Sequence, residues 1–143
     1  MGDNDNTAVP PLGNLWRVTI TGKRKGGWTR EEFSRRYSLH GKLAGPFVEK
    51  YNGISYRLHH ILDSHAEKLK EELSPQLSSQ FSIADIDGFS TIVFPTAKDL
   101  AGFFSDPAYA KLAADASEFG DVTSIQFSVG DEQVVVQDGK CIV

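Results

Sequence analysis

The chain has one cysteine, no long hydrophobic run and no excess of positive charge, and each of these features excludes a class of function. Cys141 alone cannot form an internal disulfide or a multi-thiolate metal site, which fits a reducing compartment. No stretch approaches the roughly 20 apolar residues that a membrane helix needs, and no early apolar run resembles a signal peptide, so we expect a cytoplasmic protein without membrane contact. A formal net charge of -4 provides no general attraction to nucleic acid. Dinucleotide fingerprints, phosphate loops and nucleophile elbows are also missing, which argues against nucleotide-dependent and serine-hydrolase chemistry.

The length of 143 residues corresponds to one domain with one hydrophobic core. Residues 1–14 are rich in Gly, Asp, Asn and Pro and have no hydrophobic period. We therefore predict a flexible N-terminal tail over 1–14 and a folded domain over 15–143.

Hydrophobic periodicity predicts an α+β domain. Thr29 begins a capping box that predicts a helix, with a break near Leu43 and a restart at Pro46. A polar helical stretch is expected near 66–73, and Thr96 caps a further helical region before the last long strand. Strands are expected over residues 15–21, 53–62, 87–94 and 122–129. The order is the βαββαβ of a ferredoxin-like fold.

The C-terminal residues add a strand or hairpin to this order. Asp138 and Gly139 stand between apolar triplets, which is a strong signal for a type I′ turn within 134–143. Because the four long strands are apolar and helices cover only one sheet face, we expect the other face to be buried by a second copy. The predicted assembly is a homodimer, the dimeric α+β barrel.

Two histidines and a tyrosine fall on predicted apolar faces. His40 lies on the same helical stripe as Phe33 and Tyr37, and Tyr56 and His60 share one face of the second strand. If that helix packs on that face, all three polar side chains converge on one cavity. Imidazole changes charge near neutral pH, so such a cavity suits proton transfer.

Several short motifs, taken in order, resemble the EthD-like domains and, among them, the small fungal polyketide dehydratases and decarboxylases. Lys42 stands where the family has proline, and His59 stands where it has a second tyrosine. The resemblance runs from Lys23 to Phe119 and rests on the segments Lys23-Arg24-Lys25, Thr29-Arg30-Glu31-Glu32-Phe33, His40-Gly41-Lys42-Leu43, Tyr56 to His60, Asp87-Gly88, Phe104-Ser105-Asp106-Pro107-Ala108-Tyr109, and Asp115 ahead of Phe119.

The resemblance implies a lyase that uses acid–base chemistry without a metal or organic cofactor. The expected substrate is a small aromatic polyketide, which would lose water or carbon dioxide. We predict catalytic roles for His40, His60 and Tyr56. The candidate substrate-binding residues are Asp87, Tyr51, Trp28, His59 and Phe104.

Plainer roles stand beside these assignments. Asp87 could orient a histidine or fix a turn, and Tyr51 and Trp28 could line the pocket mouth or pack in the core. His59 could be a structural residue, a dimer contact or a donor at the pocket edge. Although His59, His60 and His65 are close in sequence, neighbouring strand residues point to opposite faces, so no metal site is predicted.

Two other functions remain open at this stage. Dimeric α+β barrels include cofactor-free monooxygenases that oxidise anthrone-like polyketides, and an apolar pocket with His and Tyr would suit that chemistry. The chain could also be a non-catalytic dimer that binds an aromatic ligand. Dependence on dioxygen and the presence of turnover separate these three hypotheses.

Overall fold

A computed structural model describes Val9 and residues 11–143. Most of the predicted tail, residues 1–8 and Pro10, therefore lies outside the described residues. The helices are α1 (Arg30–Lys50), α2 (Asp63–Glu72), α3 (Pro75–Ser78), α4 (Ala97–Ser105) and α5 (Tyr109–Phe119). The strands are β1 (Trp16–Arg24), β2 (Ser55–His60), β3 (Gly88–Phe94), β4 (Gly120–Gly130), β5 (Val136–Gln137) and β6 (Lys140–Cys141).

The four long strands form one antiparallel sheet in the order β2-β3-β1-β4. Helices α1, α4 and α5 cover one face of this sheet, and the core lies between the two layers. Val18, Ile92 and Phe94 from the strands meet Ala44 and Leu112 from the helices there. The predicted α+β, ferredoxin-like fold is confirmed.

Helix α1 begins where the capping box predicts, because the hydroxyl of Thr29 accepts a hydrogen bond from the backbone N–H of Glu32 at 3.1 Å. The predicted break near Leu43 is wrong, since α1 continues through Pro46. A proline inside a helix removes one hydrogen bond to the carbonyl four residues earlier, here that of Lys42. Both residues lie on the exposed side of α1, where water can satisfy that carbonyl, while the opposite side packs in the core.

The C-terminal hairpin has the predicted turn. Asp138 and Gly139 both have positive φ, 52° and 79°, as a type I′ turn requires. Within the described residues, β5 and β6 pair only with each other, so the hairpin forms a separate two-stranded sheet and does not extend the main one.

The face of the main sheet away from the helices is less apolar than the sequence suggested. Val93 on this face is buried, but Arg57 and His59 are exposed there. Exposed apolar area on this face therefore does not by itself require a second copy, and the homodimer stays a prediction. None of the helices in the described part of the chain is long and apolar enough to cross a membrane.

Candidate active site

A cavity of about 360 Å³ lies between helices α1 and α5 and the covered face of the sheet. Its volume is in the range of small-molecule sites, and its walls are mainly apolar with a few polar groups. The side chains that provide those polar groups include Tyr37, His40, Tyr56, Ser90 and Tyr109.

His40 is held in the cavity wall by a carboxylate from the facing helix. Its Nδ1 lies 2.8 Å from Oδ2 of Asp115, and the two side chains are 15% and 19% exposed. His40 lines the cavity and Asp115 does not, so the hydrogen bond occupies Nδ1 and leaves Nε2 as the nitrogen for a ligand.

Asp115 has a second partner in Arg36, one turn before His40 on α1. Nη1 of Arg36 donates to Oδ2 at 3.2 Å and Nη2 donates to Oδ1, so the guanidinium holds both carboxylate oxygens. Its Cζ also lies 5.1 Å from the centroid of the Phe119 ring. Hydrogen bonds from Arg36 and His40 outweigh partial burial and lower the pKa of the Asp115 carboxyl, so it remains ionised.

Three tyrosines contribute neutral hydroxyl groups to the cavity. Burial raises the pKa of Tyr37, Tyr56 and Tyr109 above the ordinary phenol value, so all three stay protonated near neutral pH. The hydroxyl of Tyr37 interacts with the side chain of Ser90, which offsets part of its shift. The hydroxyls of Tyr56 and Tyr109 have no hydrogen-bond partner within the described protein, and both are available to a ligand.

A glycine allows helix α1 to approach β2 closely beside His40. A Cβ at Gly41 would lie 2.8 Å from Cδ1 of Leu58 and 3.8 Å from the hydroxyl of Tyr56. Any side chain at position 41 would force Leu58 to move. Glycine therefore allows α1 to lie close to β2, with the neighbouring His40 and Tyr56 on the same cavity.

His60 does not join His40 and Tyr56, contrary to the predicted convergence. Its Nε2 lies 3.4 Å from the hydroxyl oxygen of Ser38 in a shallow groove between α1 and the end of β2. The Tyr37 ring contacts both histidines, with its centroid 6.3 Å from that of His40 and 6.1 Å from that of His60. Alternation along β2 correctly indicates the face of His60 but not its position beyond the edge of the cavity.

The five predicted substrate-binding residues lie outside the cavity lining. Asp87 is buried in an ion-pair cluster, where its Oδ1 accepts from Arg24 and Arg30 at 2.7 and 2.9 Å. Burial opposes the charge of Asp87, but hydrogen bonds from the Arg24 backbone and from Arg30 outweigh it and lower the pKa of that carboxyl. This geometry supports the structural role considered for Asp87 and not the orientation of a histidine.

The other four residues have packing contacts. The hydroxyl of Tyr51 donates to Asp106, and Trp28 packs beside the Phe33, Tyr37 and Phe119 cluster. His59 faces the opposite side of the sheet, with its ring centroid 5.6 Å from that of Phe89. Phe104 packs directly behind the cavity wall, 5.2 Å from the ring centroid of Tyr109 and 5.5 Å from that of Phe127.

Sequence reasoning did not assign functions to Asp115, Arg36 or Tyr109. Asp115 is 75 residues from His40 in sequence, so no local spacing links them. One signal was present, because Arg36 and His40 are four residues apart and therefore share a side of α1. Across Val9 and residues 11–143, no cluster of three or more His, Cys, Asp or Glu side chains is arranged to hold a metal ion.

The strand order and the helices on one face of the sheet place the chain among ferredoxin-like α+β proteins. The model of the EthD domain matches residues 25–123, which include His40, Tyr56, Tyr109 and Asp115. The chain therefore belongs to the EthD domain family, and the resemblance inferred from its motifs is confirmed.

Two fungal relatives are similar over most of the chain. The dehydratase aurZ of Gibberella zeae is 28% identical over 87% of this chain and 82% of its own length. The decarboxylase nsrE of Aspergillus novofumigatus is 27% identical over 99% of this chain and 97% of its own length. These names agree with the sequence prediction of an enzyme of the lyase class.

Two solved structures share the fold at low sequence identity. SnoaB, a cofactor-independent oxygenase from Streptomyces nogalater, is 10% identical with a TM-score of 0.56, over 87% of this chain and 99% of its own. A dimeric protein of ferredoxin-like fold from Bacteroides fragilis is 8% identical with a TM-score of 0.54, over 87% of this chain and 100% of its own. At these identities the likeness supports the fold alone.

Proposed function

We propose that the protein is a cofactor-independent lyase that dehydrates or decarboxylates an aromatic polyketide intermediate. The observation that carries this proposal is the His40–Asp115 pair, which leaves one imidazole nitrogen for an apolar cavity that also contains phenolic donors. The relatives named dehydratase and decarboxylase support the same class of reaction.

Asp115 gives His40 the form that a general base needs. An ionised carboxylate accepts the hydrogen bond from Nδ1–H, so neutral His40 carries its proton on Nδ1 and a free electron pair on Nε2. When Nε2 takes a proton, the same carboxylate stabilises the imidazolium. Proton transfer by a positioned side chain of this kind contributes about 10²–10⁴-fold to a rate.

For dehydration, Nε2 of His40 removes a proton from the carbon beside a substrate carbonyl. The electron pair moves onto the carbonyl oxygen, which the neutral hydroxyl of Tyr56 stabilises by donating a hydrogen bond. The enolate then expels the β-hydroxyl, which takes the proton back from the imidazolium and leaves as water. Aromatisation of the product ring supplies the driving force.

For decarboxylation, the same groups act in a different order. Nε2 of His40 removes the proton of a β-keto carboxylic acid, which then loses carbon dioxide, and the electron pair of the broken carbon–carbon bond passes to the ketone oxygen as an enolate. Tyr56 donates to that oxygen, and protonated His40 then delivers its proton to carbon. In both reactions His40 serves as base and acid in turn, so His60 is not needed inside the cavity.

The proposed enzyme acts as a homodimer. A solved protein of the same fold is described as dimeric, which supports this assembly for the present chain. Light scattering coupled to size-exclusion chromatography gives the mass directly. A monomer at micromolar concentration would contradict the proposed dimer and leave the proposed chemistry untouched.

The decisive experiment follows product mass with hydroxylated aromatic β-keto acids under nitrogen and under air. We expect loss of water or carbon dioxide in both atmospheres, abolished in His40→Ala. The matched control is His60→Ala, which we expect to retain activity because His60 lies outside the cavity lining, in the groove beside Ser38. Oxygen incorporation only in air would make the protein a monooxygenase, and binding without turnover would make it a carrier.

A further inference from the structure

A second unpaired hydroxyl marks the far end of the cavity. Among Val9 and residues 11–143 the hydroxyl of Tyr109, a residue of the cavity lining, has no hydrogen-bond partner, and burial raises the pKa of this phenol. Tyr109 is half-buried, so water can satisfy its hydroxyl until a ligand in the cavity accepts the hydrogen bond in its place. The ring itself is fixed, with edge-on contacts to Phe103 and Phe104 at centroid distances of 5.7 and 5.2 Å.

One side of helix α5 lines the cavity along its whole length. The five lining residues recur at helical spacing, and two of them are alanines, which leave room for a flat ligand. They are Tyr109, Leu112, Ala113, Ala116 and Phe119. Tyr109 is the first residue of α5 and Asp115, the partner of His40, lies six positions later, which separates them by about 9 Å along the helix axis.

Tyr109 and His40 also belong to different parts of the core. Tyr109 packs with Phe103 and Leu112, whereas the His40 ring lies 5.6 Å from that of Phe119, which is ten positions after Tyr109 on α5 and therefore about 15 Å further along the helix axis. The cavity is therefore a slot with the imidazole toward one end and a free phenol at the other, joined by apolar walls.

We propose that Tyr109 is a substrate-binding residue that selects multi-ring aromatic ligands with an oxygen substituent remote from the reacting carbon. This assignment deepens the proposed function and rests on it for the identity of the reaction, but not for ligand selection. The hydroxyl of Tyr109 donates to the remote oxygen, while the near end of the ligand faces His40 and Tyr56. A single-ring ligand cannot reach both ends of the slot.

The test uses two probes that differ only at the remote position, 2-naphthol and naphthalene-2,6-diol, with affinities measured by isothermal titration calorimetry. One additional neutral hydrogen bond is worth about 1 kcal/mol, so we expect wild type to bind the diol about fivefold to tenfold more tightly. In Tyr109→Phe the affinity for 2-naphthol should be unchanged, and the preference for the diol should fall to about twofold, because either of its two equivalent hydroxyls can face His40. Tyr56→Phe should weaken both probes alike.

Turnover provides a separate readout. With a substrate that carries the remote oxygen, Tyr109→Phe should raise KM and leave kcat unchanged, because the contact is the same in the ground state and the transition state. The proposal is overturned if wild type does not discriminate between the probes, if Tyr109→Phe keeps the discrimination, or if it weakens both probes equally. Absence of turnover with the probe preference intact would refute the lyase and leave the selecting role of Tyr109 in place.

Discussion

Replacement of Asp115 by asparagine provides the sharpest test of the proposed base. The carboxylate accepts from Arg36 and from Nδ1–H of His40 at the same time. In Asp115→Asn the amide oxygen remains the better acceptor for the guanidinium, so the amide NH₂ faces His40. Nδ1 must then accept a hydrogen bond, the proton moves to Nε2, and the nitrogen on the cavity side can no longer act as a base.

The magnitude follows from the size of general-base catalysis. Since such a base contributes about 10²–10⁴-fold, we expect kcat to fall about 10²–10³-fold, which corresponds to about 3–4 kcal/mol in the activation free energy. KM should change little, because Asp115 does not line the cavity. Glu118→Gln is the matched control, since Glu118 is an exposed carboxylate on the same helix and should leave kcat unchanged.

Two measurements together decide this prediction. Steady-state kinetics gives kcat and KM, and nitrogen chemical shifts of the His40 ring report which nitrogen carries the proton. A tautomer change without loss of kcat would refute the role of His40 as the base. Loss of kcat with the tautomer unchanged would mean that Asp115 acts on catalysis by another route.

Three further changes test separate parts of the structure. Arg36→Gln removes the guanidinium that donates to both carboxylate oxygens of Asp115 and orients them, so we expect kcat to fall about tenfold, with partial recovery in Arg36→Lys. Equal kcat in wild type and both variants would contradict this positioning role of Arg36. Gly41→Ala should lower the free energy of unfolding in urea by about 1 kcal/mol, because its Cβ meets Leu58, whereas Gly45→Ala has open space and should raise it by about 0.5–1 kcal/mol. Asp106 accepts from Lys50, Tyr51 and the Ala108 backbone, which lowers the pKa of its carboxyl in the folded state. Because the pKa of Asp106 is lower in the folded state than in the unfolded state, its ionised carboxylate stabilises the fold above about pH 4, and this stabilisation is lost as the pH falls further. We therefore expect the free energy of unfolding of Asp106→Asn to decrease less steeply below about pH 4 than that of wild type.

Local periodicity was sufficient to predict the fold and the orientation of His40. The capping box at Thr29 and the helical spacing that includes His40 depend only on neighbours in sequence, and both appear in α1. The hairpin turn at Asp138 and Gly139 is likewise set by two residues. Such features are predictable because the backbone conformation and the sequence pattern are linked within one element.

The composition of the site depends on contacts that no local pattern encodes. Tyr56 and His60 face the same side of β2, yet only Tyr56 lines the cavity, whereas His60 at the end of the strand lies in the groove beside Ser38 of α1. The sequence motifs contain two aspartates, Asp87 before β3 and Asp115 on α5, and either one could have been the partner of His40. The choice between them as the partner of His40 is made by the packing of α5 against α1, which brings Asp115 within 2.8 Å.

Helix α5 explains how one short element can both shape the cavity and activate the base. A helix turns by about 100° per residue, so Asp115 points about 100° away from Ala116, which lines the cavity. The carboxylate therefore reaches Nδ1 of His40 from the side of α1 and not through the cavity, and Nε2 is left on the ligand side. A carboxylate at position 116 would instead extend into the cavity and occupy the space of the ligand beside His40.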